Sequence, residues 1–287
     1  KSEWRPKLKF SSASIKPIWS YSSNIFFAQA MNMVFARLDA ILIAKYFQAS
    51  ALGFYNRGKA LNDLMVQYSS GSLAQVMFPV LSAKQADQRG FNIAFLETYR
   101  VLSLVSVIIA SLLYLTAEDL IILIFTSKWI TTAAYLQILV IVIFFQNSNF
   151  FISHAIKAMG NSRLFLKAEF IKKILMTIAF VVGVNFGVEG IIYAYVAGKI
   201  LAYLVSIFLL FRQQIVGIKT VILIPLKDVL FCSLPIASTI LINEYIQGVF
   251  YIICSVVIFI LIVIILHFIK PRRAIETIIK QILKLNT

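Results

Sequence analysis

The chain has 287 residues, 60% of them hydrophobic and 14% charged, with a mean hydropathy of +0.88. A soluble domain carries nearer a quarter charged residues, so the composition excludes an ordinary soluble fold and predicts an all-α integral membrane protein. The net charge of +15 is not accompanied by a basic stripe interleaved with stacking aromatics. It is read as a topological signal rather than as a nucleic-acid surface.

The chain opens on Lys1 with a basic, polar run and no signal peptide. It reads as a portion of a longer protein that begins in a loop between spans. Eight apolar stretches follow, each about the twenty residues that cross ~30 Å of hydrocarbon. They fall at 18–45, 61–81, 100–117, 132–154, 165–184, 189–211, 229–245 and 248–269.

The first stretch carries Arg37 and Asp39. An ionised group at the centre of a span costs ~2.5–3.5 kcal/mol on insertion scales, so such groups are used or buried against a partner. On a continuous helix the two point about 200° apart and cannot pair. Gln29, Asn32 and Asp39 share a polar stripe, either the wall of a wet cavity or cation site, or a helix-packing seam with Arg37 reaching toward the outer surface.

The second stretch holds Gln67, Ser69, Ser70, Ser72 and Gln75, a composition that favours close helix packing. Pro79 should kink or end it. A short apolar run, Leu120 to Phe125, is too short to cross and is either an interfacial or a re-entrant piece. Glu118 and Asp119 before it read as a solvated outer loop. The fourth stretch carries Gln146, Asn147, Asn149 and His154. Asn147 and His154 share a face, and the histidine is either a proton carrier or an interfacial hydrogen-bonding residue.

In the sixth stretch Lys199 lies near mid-span, flanked at four-residue spacing by Tyr195 and Tyr203. A lysine between tyrosines suits phosphates and sugar hydroxyls. The bland alternative is a lysine paired for packing, and Asp39 is then the expected counter-charge. Cys232 and Cys254 fall in separate spans at different depths, which argues against a disulfide or a metal site. The tail, Ala274 to Leu285, has an isoleucine face and is expected to lie on the inner leaflet as an amphipathic helix.

Counting connections, 21 of the 27 basic residues fall on one side of the predicted membrane and only Lys45, Arg57, Lys59 and Lys128 on the other. That asymmetry predicts eight spans with both ends cytoplasmic. Neither a zincin motif, a P-loop nor a nucleophile elbow is present, and no outer loop has room for a catalytic domain. An enzyme is therefore not expected, nor is a cofactor.

The order of several short motifs resembles a known family. These are Asp39 to Ala44; Leu52-Gly53-Phe54-Tyr55-Asn56-Arg57; Phe78-Pro79; Thr126 to Trp129; Leu136 to Leu139; Met159-Gly160-Asn161; Glu169 with Lys172-Lys173; and Gly187-Val188-Glu189-Gly190. Over residues 8–211 the chain resembles the Wzx-type polysaccharide flippases of the O-antigen and colanic-acid branch, within the multidrug/oligosaccharidyl-lipid/polysaccharide exporter superfamily. The resemblance implies a division into a cytoplasmic inter-lobe segment (1–17), a six-helix C-terminal lobe (18–211), two additional transmembrane helices (212–269) and a cytoplasmic basic tail (270–287).

It further implies flipping of an undecaprenyl-diphosphate-linked oligosaccharide across the bacterial inner membrane by alternating access, in contact with membrane lipid. Polysaccharide polymerase and glycosyltransferase partners, and proton or sodium coupling at Asp39 or His154, belong to the same expectation. The candidate cavity residues are Lys199, Arg37, Asp39, Asn32, Gln29, Tyr195, Tyr203 and Asn147. The rival reading is a cation-coupled exporter of small amphipathic compounds, which would need an acidic cavity. A membrane glycosyltransferase and a purely structural subunit are the remaining alternatives.

Overall fold

The computed structural model describes residues 12–213, 216–243 and 248–269, and every regular element among them is a helix. In chain order these are α1 (Ser12–Phe35), α2 (Leu38–Tyr46), α3 (Ala49–Val66), α4 (Ser72–Ala83), α5 (Gln88–Leu115), α6 (Ala117–Phe125), α7 (Ile130–Leu139), α8 (Ile141–Ala158), α9 (Ser162–Gly183), α10 (Gly187–Arg212), α11 (Ile218–Asn243) and α12 (Val249–Ile269). The expected amphipathic tail and the first part of the inter-lobe segment lie outside the described residues, as do the side chains of Ser72 and Gln75.

Several apolar stretches are broken helices. The first splits at Arg37, whose φ of −119° and ψ of 9° interrupt the ladder between α1 and α2. The second is broken by a π-helical turn, Gln67–Gly71, where Ser69 and Ser70 hydroxyls donate back to the Met65 and Val66 carbonyls at 2.6 and 2.8 Å. Such turns absorb an extra residue at the cost of regular hydrogen bonding. The fourth bends by 45° between α7 and α8.

Three contacts gather one end of the bundle, called here the basic end. The Tyr21 hydroxyl donates to the Lys157 carbonyl at 3.1 Å, Asn24 to the Ser162 hydroxyl at 3.1 Å, and Gln85 to the Met159 carbonyl at 2.9 Å. The start of α1, the α4–α5 turn and the α8–α9 turn therefore meet there. Asp87 and Asn161 cap the helices that leave it, accepting from Gly90 and Leu164 amides. At the far end Arg57 lies over the rings of Phe125 and Trp129. Asp119, expected in a solvated loop, instead accepts from the Gly248 amide at 2.9 Å and ties α6 to the start of α12.

α9 and α10 form an antiparallel hairpin that turns at Gly187, φ +82°. Its helices touch backbone to backbone. A Cβ on Gly183 would meet the Gly190 carbonyl oxygen at 2.5 Å, and one on Gly190 would overlap that of Gly183. Lower in the bundle Phe95, Tyr99 and Phe151 stack in the main core, with Phe95 5.8 and 5.2 Å from the other two rings. Cys232 is buried where α11 and α12 pack on α5, and both cysteines are free thiols.

Four helical runs among the described residues are long and apolar enough to cross a membrane: Ile18–Tyr46, Gln88–Leu115, Ser162–Arg212 and Ile218–Leu241. The bent pair Ser127–Leu139 and Ile141–Ala158 makes a fifth. The count is below the eight expected for physical reasons. Ser162–Arg212 is a single run of 51 residues that folds back on itself as the α9–α10 hairpin. The π turn divides α3 from α4, and the apolar stretch of α12, Phe250–Ile265, is short. α11 begins well before the expected residue 229, so Lys227 and Asp228 lie inside a helix rather than in a connection. Lys59, Lys172 and Lys173, also counted as loop charges, lie within α3 and α9.

Candidate functional site

Two adjoining cavities run along the inside of the bundle. The first, about 220 Å³, lies toward the basic end, where Gln29, Asn32, Glu169, Lys172, His154 and Lys157 are among its lining residues. The second, about 480 Å³, reaches toward the far end past Lys59, Asp63, Gln67 and Tyr195. Lys173 and Lys199 line both, with Asn32, Gln146, Phe150 and Met176.

The helix breaks and the hairpin place these side chains. α9 presents Glu169, Lys172 and Lys173 within just over one turn, on the side that meets α1 and α8. Lys172 donates to Glu169 at 2.8 Å and to the Ser153 hydroxyl at 3.3 Å, and both members of the pair are buried. Lys173 lies 5.9 Å from the Phe35 ring centroid. From α10, Lys199 rests 4.9 Å from the ring centroid of Tyr195, one turn earlier. The same ring receives Lys59 of α3 at 4.8 Å.

Lys59 is half of a second buried ion pair. Its ammonium and the Tyr55 hydroxyl, one turn apart on α3, both donate to Oδ2 of Asp39. The expected partnership of Asp39 with Lys199 is therefore corrected. Asp39 is 1% exposed and lines neither cavity, and it lies behind Lys59. Asp63, Glu169 and Asp228 are further carboxylates that lie on helices. Among the described residues no carboxylate comes within ion-pair distance of Lys157, Lys173 or Lys199.

The remaining expected residues divide. Gln29, Asn32 and His154 line the first cavity. The His154 Nδ1–H donates to the Phe150 carbonyl at 2.8 Å, which leaves Nε2 to accept from Lys157 at 3.2 Å. Arg37 is exposed in the α1–α2 turn and lines neither cavity. Asn147 is buried away from both, donating to Ser69 at 2.7 Å and Ser106 at 2.9 Å, and so braces α8 against α5 and the π turn. Tyr203 turns into the core, its hydroxyl 2.7 Å from that of Tyr99. The Tyr-Lys-Tyr stripe thus splits after Lys199.

Residues that the sequence reading left out of the site are Lys59, Asp63, Glu169, Lys172 and Lys173. The signal was present in their spacing. Glu169 with Lys172 and Lys173, and Lys59 with Asp63, stand three or four apart, the separation that brings helical side chains together. Lys59 falls outside the predicted spans, and the other four lie in the first half of a predicted span, where a charge alone carries little signal.

The cavity lining is net cationic. Lys59, Lys157, Lys172, Lys173 and Lys199 face it against Glu169 and Asp63. Ammonium groups are compact point charges that suit phosphate oxygens, and Asn32, Asn149, Gln146 and Gln29 offer neutral hydrogen-bonding groups beside them. A third cavity, about 460 Å³, is almost wholly apolar and lies between α5, α8, α10 and α11, lined by Val107, Phe144, Phe145, Leu204, Ile222 and Leu226 among others.

A family model described as a polysaccharide biosynthesis protein matches residues 1–134. The teichuronic acid biosynthesis protein TuaB of Bacillus subtilis (strain 168) is 26% identical over 140 residues, 49% of this chain and 29% of that protein. The lipopolysaccharide biosynthesis protein WzxC of Escherichia coli (strain K12) is 24% identical over 213 residues, 73% of this chain and 43% of that protein. The chain thus spans less than half the length of these relatives. Its fold is similar to that of the lipid II flippase MurJ in an inward closed conformation, with a TM-score of 0.68 at 18% identity, covering 90% of this chain and 55% of that one.

Proposed function

We propose that the chain is part of a Wzx-type polysaccharide flippase, and that the full-length protein moves an undecaprenyl-diphosphate-linked oligosaccharide across the bacterial inner membrane by alternating access. The observation that carries this reading is the pair of lysines common to both cavities. Lys173 and Lys199 have no ion-paired carboxylate among the described residues and line both the cavity nearer the basic end and the one nearer the far end. A diphosphate is the substrate group that such a pair fits. The neutral amide side chains around it suit sugar hydroxyls, and the apolar groove beside α11 suits a polyprenyl chain.

In this reading the basic end is cytoplasmic, as the positive-inside rule requires, and both chain ends lie on that side. The helices then make eight crossings: α1–α2, α3–α4, α5, α7–α8, α9, α10, α11 and α12. The first six form one lobe, and α11 and α12 are an added pair. A rival exporter of amphipathic cations would meet a wall of like charge here.

His154 is a weak candidate for a coupling proton. Its Nε2 already accepts from Lys157, and protonation would set two cations face to face. Asp39 is engaged by Lys59 and Tyr55, so coupling there would require the pair to open.

The test is a flipping assay on the full-length protein in proteoliposomes with a lipid-linked oligosaccharide. Lys199→Ala and Lys173→Ala should each lose most of the activity while Arg37→Ala keeps it. Unchanged flipping in both lysine variants would sink the reading.

A further inference from the structure

Asp39 stands at the first turn of α2, directly after the break at Arg37. The break turns α2 so that Asp39 points toward α3, where Tyr55 and Lys59 converge on one carboxylate oxygen. The pair is asymmetric in its surroundings. The Asp39 side chain is 2% exposed and the Lys59 side chain 13%. The ammonium therefore stands at the cavity wall, with its counter-charge sealed behind it. On the cavity side, Lys59 shares the Tyr195 ring with Lys199, and Asp63 lies one turn further along α3 in the same lining.

Its counterpart near the basic end is built differently. Glu169 and Lys172 are both cavity-lining and three residues apart on one helix, so they screen each other in place. Asp39 and Lys59 come from separate helices joined by the short α2–α3 turn. A shift of α2 against α3 would separate them without unwinding either helix.

We infer that Lys59 is a second anion-binding group held in reserve by Asp39, and that it takes the diphosphate as this leaves Lys199. The inference rests on the flippase reading above and names the next group that the same substrate meets. Tyr195 lies against both ammonium groups, so an anion moving from one to the other stays beside the same aromatic ring. While Asp39 holds Lys59, the far cavity offers little free positive charge beyond Lys173 and Lys199. Once a phosphate oxygen replaces the carboxylate, Lys59 gains a ligand and Asp39 retains Tyr55 as a donor.

The experiment titrates inorganic diphosphate into the purified full-length protein in lipid nanodiscs, with binding read by calorimetry. Asp39→Asn frees Lys59 and should tighten binding about tenfold, the scale of one charge-assisted hydrogen bond. Adding Lys59→Met to that variant should abolish the gain. Glucuronate in place of diphosphate should show a smaller gain, since a sugar carboxylate is not the proposed ligand.

Where Asp39→Asn does not fold, Asp39→Glu displaces the carboxylate by one methylene and should give a smaller gain in the same direction. No gain in a folded Asp39 variant, a gain that survives Lys59→Met, or a larger gain for glucuronate would each overturn the inference. If the wild-type protein binds no diphosphate, the flippase reading fails with it. Wild-type binding with an unaltered Asp39 variant removes only the role of Lys59.

Discussion

Lys199 rests 4.9 Å from the ring centroid of Tyr195, and that same ring holds Lys59 of another helix at 4.8 Å. One buried aromatic ring thus holds two cavity cations whose like charges would otherwise drive them apart. Cation–π contacts of this kind contribute ~0.5–2 kcal/mol each. Tyr195→Phe should therefore leave flipping nearly unchanged, because the ring survives and only the long hydroxyl contact to Gln146, 3.5 Å, is lost. Tyr195→Leu should reduce flipping severalfold with a smaller change in thermal stability. Equal activity in the Leu and Phe variants would show that the ring does not position the lysines.

The buried pair of Asp39 and Lys59 should show the asymmetry of buried ion pairs, in which losing one partner costs far more than losing both. Asp39→Leu leaves the Lys59 ammonium without its carboxylate and should destabilise by ~3–5 kcal/mol. Asp39→Leu with Lys59→Met should recover most of that loss. Thermal melting of the full-length protein in detergent measures both, and a double variant no more stable than the single one would contradict the pairing.

The sequence made some of this legible and hid the rest for definable reasons. Lys199 could be found because it interrupts a long apolar run, where any charge stands out. Tyr203 was placed on its face by counting in fours. Eight residues at 100° each leave an 80° rotation from Tyr195, however, and that turns Tyr203 into the core beside Tyr99. Lys59 was hidden because the start of α3, Ala-Ser-Ala-Leu-Gly-Phe-Tyr-Asn-Arg-Gly-Lys, is too polar to read as part of a span. Arg37 drew attention as a mid-span charge, but a helix break puts it in a turn where exposure removes the cost. The all-helical class and the membrane character follow from composition. The pairing of helices depends on contacts between distant segments, which no local pattern encodes.

The α9–α10 hairpin depends on glycine at two positions. A methyl on Gly183 would stand 2.5 Å from a backbone carbonyl oxygen, which has no free rotation to escape. At Gly198 the nearest atom is the flexible Met176 Cγ at 3.2 Å. Gly183→Ala and Gly190→Ala should therefore separate the helices, displace Lys199 from Lys173 and lower both melting temperature and flipping. Gly198→Ala should do little, because Met176 can shift a few tenths of an ångström. The reverse order of damage would mean that the close approach of α9 and α10 is not a requirement of the fold.

The last prediction concerns how the α11–α12 pair is held. Asp228 is 2% exposed on α11 and accepts from the Ser103 hydroxyl of α5 at 2.5 Å, among the apolar side chains of Leu104, Val107, Cys232 and Phe259. A carboxylate buried between two helices at this depth costs several kcal/mol unless it is satisfied, and the bond to Ser103 fixes the register of α11 on α5. Ser103→Ala removes that donor but leaves the carboxylate, and should destabilise by ~1–3 kcal/mol. Asp228→Leu removes the acceptor together with every other contact of this carboxylate and should destabilise at least as much as Ser103→Ala. Since neither residue lines the lysine cavities, flipping by any variant that still folds should track its stability. Limited proteolysis in the connection between α10 and α11 provides a direct readout. Faster cleavage in Ser103→Ala and in Asp228→Leu than in the wild-type protein is the expected result. Equal protection of all three proteins would show that the α11–α12 pair docks through its apolar contacts alone.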